Sequence, residues 1–574
     1  MFRLQVRHRV KPLLLACVAG AAVMAAPAAA QQVDSNKLLE VMVRKGLVTR
    51  EEADAMIAEA GAAAPASAPA AQAPVPPGGV AADGVQTIPY VPQVVRDQLK
   101  QELRNELGQQ AQAEGWAKPG EVPEWTKRIT LSGDIRARMD AMLFDRGNYT
   151  DFVNWGAVNE GSGVDVNPAS PGFVNLPYLN TRNDRVAMRL RARIGINARI
   201  DDWVTAEVRV ATGNDRSPVS TNQTLGQFGE FGKYQLWLDR AAIHLKPVDG
   251  LGVELGRFAN PFWSSTLVFD EDLNFDGISA TAKVKLNERF GLFGTAGFFP
   301  LFNTSLNFGS RDVGSFRSRD RYLVAGQFGI DVRPSSALRT RLAGAYFRFE
   351  NVQGEVSAPC AFNQDVCDTD VMRPLFQQFG NTHMALRDVV PNPAVPESLS
   401  PEVQYFGLAS KYEVLSLRGE VDYGLTDRLS LRFEGDYLRN LAFKRRRVAP
   451  LAQNNFAPIT TAGGGNYSGG DDGWQARLSV GHLGRGLPQG DQTIHKKDWN
   501  VHLGYRRIES DAMLDALADS DFGLGGTNMK GWFAGGAYGV AENTAVGVRW
   551  MSTDEIAGPP LSVDHLMVDF TSRF

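Results

Sequence analysis

Hydrophobic and polar residues alternate one by one over most of the chain from Arg128 onward. Ile129, Leu131, Gly133, Ile135, Ala137 and Met139 oppose Arg128, Thr130, Ser132, Asp134, Arg136 and Arg138. Val186, Met188, Leu190, Ala192, Ile194, Ile196, Ala198 and Ile200 then oppose Arg185, Arg189, Arg191, Arg193, Asn197 and Arg199. After Asp201-Asp202, Val204, Ala206, Val208 and Val210 oppose Thr205, Glu207 and Arg209. Period two is that of a β-strand, whose side chains leave by alternate faces. Runs of about ten residues or more suit a tilted strand that crosses a bilayer. A sheet bathed in water needs no such length.

The same alternation places further strands near 231–246, 250–259, 275–286, 288–299, 321–333, 335–350, 411–425, 428–441, 472–484, 495–508, 528–540, 543–553 and 562–574. Every second link is mostly tight, as at Asp201-Asp202, Pro247-Val248-Asp249, Asn287, Arg333-Pro334-Ser335, Thr426-Asp427 and Glu542. The links between are longer, notably 145–183, 351–400 and 442–471. Short turns alternating with long loops are the arrangement of a transmembrane barrel. The expected fold is therefore all-β: an antiparallel barrel of about sixteen strands over 126–574. The link at 485–494 is long for a short-side turn, so about 14 to 18 strands remain compatible. Only closure removes the unpaired edges that lipid cannot satisfy. A barrel of this size leaves a water-filled interior.

Ahead of the barrel the period is helical. Ser35 caps a helix carrying Leu38, Leu39, Val41 and Met42, which Gly46 ends. Thr49 and Glu52 form a capping box for a second helix with Ala53, Met56 and Ile57 on its apolar side. This hairpin fills 31–60. The Ala/Pro-rich stretch 61–92 reads as a spacer. Val95, Leu99, Leu103 and Leu107 recur at i, i+4 in an amphipathic helix over 93–113. That helix suits a self-associating coil or a solvated stalk equally. Residues 1–30 carry Arg3, Arg7, Arg9 and Lys11, an apolar stretch from Leu13 to Met24 and Ala28-Ala29-Ala30, the layout of a secretory signal peptide.

The last strand ends in a bare aromatic. Leu566, Val568, Phe570 and Phe574 share one face, and Met567, Asp569, Thr571 and Arg573 the other. A terminal Phe on an amphipathic strand resembles the closing strand of a bacterial outer-membrane barrel. With the hairpin Leu38-Leu39-Glu40-Val41-Met42-Val43-Arg44-Lys45-Gly46-Leu47-Val48-Thr49, the first strand Leu131-Ser132-Gly133-Asp134-Ile135-Arg136, and Leu255-Gly256-Arg257-Phe258, the chain resembles the putative porin family of Gram-negative outer membranes. The resemblance implies a non-enzymatic channel for small solutes in the cell outer membrane and a homo-oligomer, a trimer in many porins. It further implies contact with outer-membrane lipid and lipopolysaccharide, and Phe574 as an assembly signal read by the barrel-assembly machinery. The amino-terminal module would lie in the periplasm, where peptidoglycan is a candidate partner. No cofactor or metal is implied.

Composition narrows the chemistry. Formal net charge is −4, and removing four basic residues and no acidic ones with the signal takes it to −8. A mildly acidic chain does not suit nucleic acid, whose binders carry basic patches. Cys360 and Cys367, the cysteines left after residue 30, lie in a polar loop of an exported chain and are expected to form one local disulfide. Histidines are scattered, and no Gly-x-Ser-x-Gly or His-Glu-x-x-His accompanies them, so an outer-membrane hydrolase is disfavoured.

The candidate site is the lumen. Arg136, Arg138, Arg185, Arg189, Arg191, Arg193 and Arg209 share inward parity on the first three strands and are expected to form a basic wall. Each would cost about 2–4 kcal/mol on the lipid face near the midplane. By resemblance to general diffusion porins, whose third long loop folds into the barrel, Asp270, Glu271 and Asp272 would face these arginines across a narrow eyelet. Opposed charges of this kind orient dipolar solutes. The bland alternatives are generic lumen polarity and an acidic surface loop. The basic wall leans toward small anionic or zwitterionic solutes. A plugged barrel serving as a tether or adhesin is the competing function.

Overall fold

The computed structural model describes residues 100–101, 126–304, 318–459, 464–484 and 495–574. The chain divides into two units, 1–100 and 101–574. The signal peptide, the hairpin over 31–60 and the spacer over 61–92 lie outside the described residues. Of the helix expected over 93–113, Lys100 and Gln101 are described, and both are helical.

Within the second unit sixteen antiparallel strands close into a barrel. They are β1 (Ile129–Phe144), β2 (Arg185–Asp201), β3 (Val204–Ala211), β4 (Trp237–Val248), β5 (Leu251–Ala259), β6 (Asn274–Lys285), β7 (Phe290–Phe302) and β8 (Arg321–Val332). There follow β9 (Leu338–Glu350), β10 (Tyr412–Gly424), β11 (Ser430–Asn440), β12 (Asp472–Gly481), β13 (Trp499–Ile508), β14 (Met529–Ala541), β15 (Thr544–Glu555) and β16 (Ser562–Arg573). Each strand pairs with the next, and β16 returns to β1 in a register running from Asp134↔Arg573 to Phe144↔Val563. Beyond β16, Gly133 N donates to Phe574 O (2.9 Å) and Phe574 N to Gly133 O (3.0 Å). A Cβ on Gly133 would lie 2.6 Å from the Phe574 ring. Glycine at that position lets the terminal ring lie against the sheet.

The alternation maps onto the two barrel faces. Ile135, Met188, Ile194, Phe433, Leu503, Trp532 and Phe570 are exposed on the outside, while Asp134, Arg138, Asp140 and Arg191 are buried inside. This inverts a soluble protein's polarity, as lipid requires. Short links join the strands at 202–203, 249–250, 286–289, 333–337, 425–429, 482–498 and 542–543. The link at 482–498 falls on this side, and among the described residues the barrel counts sixteen strands. The long loops on the other side are L1 (145–184), L2 (212–236), L3 (260–273), L4 (303–320), L5 (351–411), L6 (441–471), L7 (509–528) and L8 (556–561).

The main apolar core sits inside the barrel at its long-loop end. Phe275, Phe299, Leu323, Phe347, Phe349, Tyr412 and Leu438 point inward there and pack against Phe262, Leu267, Phe269 and Leu273 of L3 and Met513 and Leu514 of L7. Where L3 and L7 cover these inward faces the side chains are apolar, and elsewhere inside the barrel charged groups are buried in ion pairs such as Arg138–Asp569 and Arg418–Glu434. L5, L6 and L7 also knit to one another. The Asn381 amide donates to Ser510 O (2.6 Å) and Met513 O (2.8 Å), while Asp511 accepts from Thr382 N (3.0 Å) and from the Tyr412 (3.1 Å) and Tyr467 (3.0 Å) hydroxyls. Within L5, Cys360 and Cys367 are disulfide-bonded, with Cα atoms 6.0 Å apart.

Candidate functional site

L3 is the third long loop, and it enters the lumen. Asn260 Oδ1 accepts from Phe262 N (2.9 Å) and bends the chain as it leaves β5. The Phe262 and Phe269 rings then meet Phe347 edge to face, with centroids 5.2 and 5.0 Å apart, the geometry that ring quadrupoles favour. Trp263 is held by its backbone. Its N–H donates to Gln327 Oε1 (2.9 Å), and Gln327 Nε2 donates to its carbonyl (3.0 Å). The Gln327 amide thereby acts as a one-residue strand partner on β8.

The other end of L3 meets β2. Asp272 Oδ1 accepts from Arg193 Nη1 (3.1 Å) and Arg191 Nη1 (3.4 Å), and its Oδ2 from Thr221 Oγ1 (3.1 Å). Burial works to raise the Asp272 carboxyl, but the two guanidiniums outweigh it and hold the group below its ordinary range. L3 therefore spans the lumen from β8 to β2. Asp270 is buried against L7, accepting from Ser520 N (2.8 Å) and Asp272 N (2.8 Å) while its own N–H donates to Leu517 O (2.9 Å). Burial, and then the neighbouring Asp519 and Asp272, push the Asp270 carboxyl well above its ordinary range. Glu271 is exposed and faces the cavity.

Asp272 touches the arginines instead of facing them across a gap, and Asp270 turns toward L7. Two buried charges of opposite sign are cheaper in contact than apart in a confined lumen.

The seven arginines divide by partner. Arg191 and Arg193 share Asp134 (2.9 and 2.6 Å). Arg138 is buried beneath Asp569 (2.6 Å) and Asp521 of L7 (3.2 Å). Arg189 lies 3.0 Å from Asp140, and Arg209 bonds Asp239 at 2.5 Å. Arg185 sits over the Phe144 ring, 5.4 Å from its centroid. Arg136 bonds Asn222 (2.6 Å), with its nearest carboxylate, Asp569, at 4.0 Å. Of the seven, Arg136, Arg191 and Arg193 line the lumenal cavity; Arg138, Arg185, Arg189 and Arg209 do not. Arg191 and Arg193 line the cavity while bonded to Asp134 and Asp272, and Arg136 does so with Asn222 as its hydrogen-bond partner.

That cavity measures about 1450 Å³ and extends from L3 and L7 to the short turns. Thirteen Lys and Arg against ten Asp and Glu line it, a small cationic excess. Several lining residues went unnoticed in the sequence: Gln327, Arg341 on β9, Arg506 on β13, and Asp519 and Asp521 of L7. Arg341 and Arg506 carry the same inward parity that marked β1–β3, and extending that count to β9 and β13 would have found them.

The family model described as putative porin matches residues 33–574. The chain belongs to the putative porin family. Among solved structures, this family member is similar to OprB of Pseudomonas putida at high pH (9% identity, TM-score 0.40, covering 78% of this chain and 95% of that one). It is also similar to the outer-membrane channel DcaP of Acinetobacter baumannii (10% identity, TM-score 0.35, covering 77% and 96%) and to OmpF of Salmonella typhi in complex with daunomycin (11% identity, TM-score 0.35, covering 78% and 97%). Comparison with curated proteins gives no match.

Proposed function

We propose that this porin-family protein is an outer-membrane channel through which small polar solutes and ions diffuse passively, with L3 as the constriction. The observation that carries the reading is the strap from Gln327 to Arg191 and Arg193, which narrows a barrel containing a cavity of about 1450 Å³ lined by charged groups of both signs. Fixed charges of both signs there attract ions and orient dipoles without binding them irreversibly. The slight basic excess favours anions and zwitterions.

In this reading residues 1–30 are removed on export. The modules over 31–60 and 93–113 lie in the periplasm, joined by the 61–92 spacer, and are positioned to hold peptidoglycan or to tie protomers into a trimer. The outer face of the barrel would meet lipid and lipopolysaccharide. Phe574, at the closing seam, would be the residue presented to the assembly machinery.

The test is single-channel conductance of the folded full chain in a planar bilayer, with reversal potential under a salt gradient. Stable steps with an anion-leaning reversal potential are expected. The interlocked L5, L6 and L7 favour one second reading, a plugged barrel that serves as a tether. A heat-modifiable, fully folded protein that stays silent would put that reading first.

A further inference from the structure

We infer that the cavity beneath L3 captures small carboxylates carrying a flat apolar group, with Arg341 holding the carboxylate and Trp263 and Phe293 holding the ring. The inference rests on the channel reading and names the solute class of that same lumen.

Most cations in the cavity already have a partner. Arg191 and Arg193 take Asp134 and Asp272. Arg506 is spent on Asp519 (2.7 Å), Gln475 (3.0 Å) and Thr266 (2.5 Å), and Arg477 is paired with Glu434. Arg341 differs. Its one ion-pair contact is Asp331 at 4.0 Å, and that carboxylate is already bonded to Arg339. Among the described residues the Arg341 Nε is buried with no hydrogen-bond partner. A guanidinium seeks carboxylate or phosphate oxygens in a planar fork; here the nearby carboxylates are Asp331, 4.0 Å from Nε and bonded to Arg339, and Glu420, opposite Arg341 on β10 and 3.8 Å from Arg432, and neither makes a hydrogen bond to Nε.

The surroundings of Arg341 are aromatic. Its guanidinium lies 4.1 Å from the Trp263 ring centroid and 4.9 Å from that of Phe293, and the two rings stand 5.9 Å apart at 83°. The rings stabilise the cation without neutralising it, so its charge remains available to an incoming anion. Trp263 is fixed by the Gln327 clasp, and Phe293 lies inward on β7 beside Thr295 and Gly291. All three residues line the cavity. Arg418, bonded to Glu434 and Asp436, also lies 4.8 Å from the Trp263 centroid, so Phe293 offers the more open ring, and a cation flanked by two rings at right angles matches a monoanion with a planar apolar body. A small aliphatic acid would use the cation alone, and a neutral sugar would use the rings but leave the charge unanswered.

Isothermal titration of the detergent-folded full chain with sodium benzoate, sodium acetate and glucose tests this without requiring conductance. Benzoate should bind at least about tenfold more tightly than acetate, and glucose should give no saturable heat. Arg341→Gln should weaken benzoate about tenfold or more. Phe293→Leu, which leaves every charge in place, should lower the benzoate-to-acetate ratio several-fold. Equal binding of benzoate and acetate, saturable binding of glucose in preference to benzoate, or benzoate binding unchanged by Arg341→Gln would each overturn the inference. The same protein in a planar bilayer separates the two claims. Benzoate binding in a silent barrel would sink the channel reading alone, while an open channel that benzoate neither occupies nor blocks would sink this inference alone.

Discussion

Asp272 holds the acidic end of L3 against β2, and its neighbours decide what its removal would do. Arg191 and Arg193 also share Asp134, so neutralising Asp272 leaves two guanidiniums on one carboxylate. Asp272→Asn keeps the shape and can still accept from Thr221 Oγ1. The local charge then rises by one in a confined space where screening by water is weak. The reversal potential should move toward anions, and unfolding should become easier by about 1–3 kcal/mol, the scale of lost charge-assisted bonds. An unmoved reversal potential would mean that ions do not pass this carboxylate.

L3 as an element explains how far sequence reaches. Period-two alternation located all sixteen barrel strands, because lipid outside and water inside impose opposite demands on adjacent residues. It also marked the arginines of β1–β3 as inward. It said nothing of Phe347 and Phe349, which point inward on β9 yet are apolar because L3 covers them. Nor did it reveal Gln327, an isolated amide whose partners are backbone atoms 64 positions away. Pairings that depend on where a loop comes to rest leave no local period to read. Gln327→Ala removes both bonds to Trp263 and so costs on the order of 1–3 kcal/mol in holding the loop tip. Single-channel records of that variant should show more open-state noise than the parent at unchanged strand content by circular dichroism. Quiet records would mean that the Phe262 and Phe269 rings suffice to hold L3.

Across the whole molecule, L5, L6 and L7 form a roof whose buried carboxylates make it responsive to acid. Burial raises the Asp515 carboxyl from 3.8 to about 6. A folded-state value above the unfolded one means that its contribution to the roof is fully present below about pH 4 and lost as pH rises through about 6. The difference amounts to on the order of 3 kcal/mol. Amide exchange in 509–528, corrected for its intrinsic pH dependence, should be slower at pH 4.5 than at pH 7.5. Asp515→Asn should flatten that difference. Equal protection at both pH values in the parent would show that Asp515 does not govern the roof.

The seam between β1 and β16 has a consequence in time as well as in space. Arg138 and Asp569 meet there from positions 431 apart, so the first strand to leave the ribosome waits for the last before its edge is covered. Until Phe574 arrives beside Gly133, an incomplete barrel has two open edges, each a template for a stranger's strand. A partly made chain thus gains almost nothing of the closed form. Loss of Ser562–Arg573 would be expected to forfeit the closed form rather than a fraction of it, which places the decision between insertion and disposal at the strand that closes the barrel.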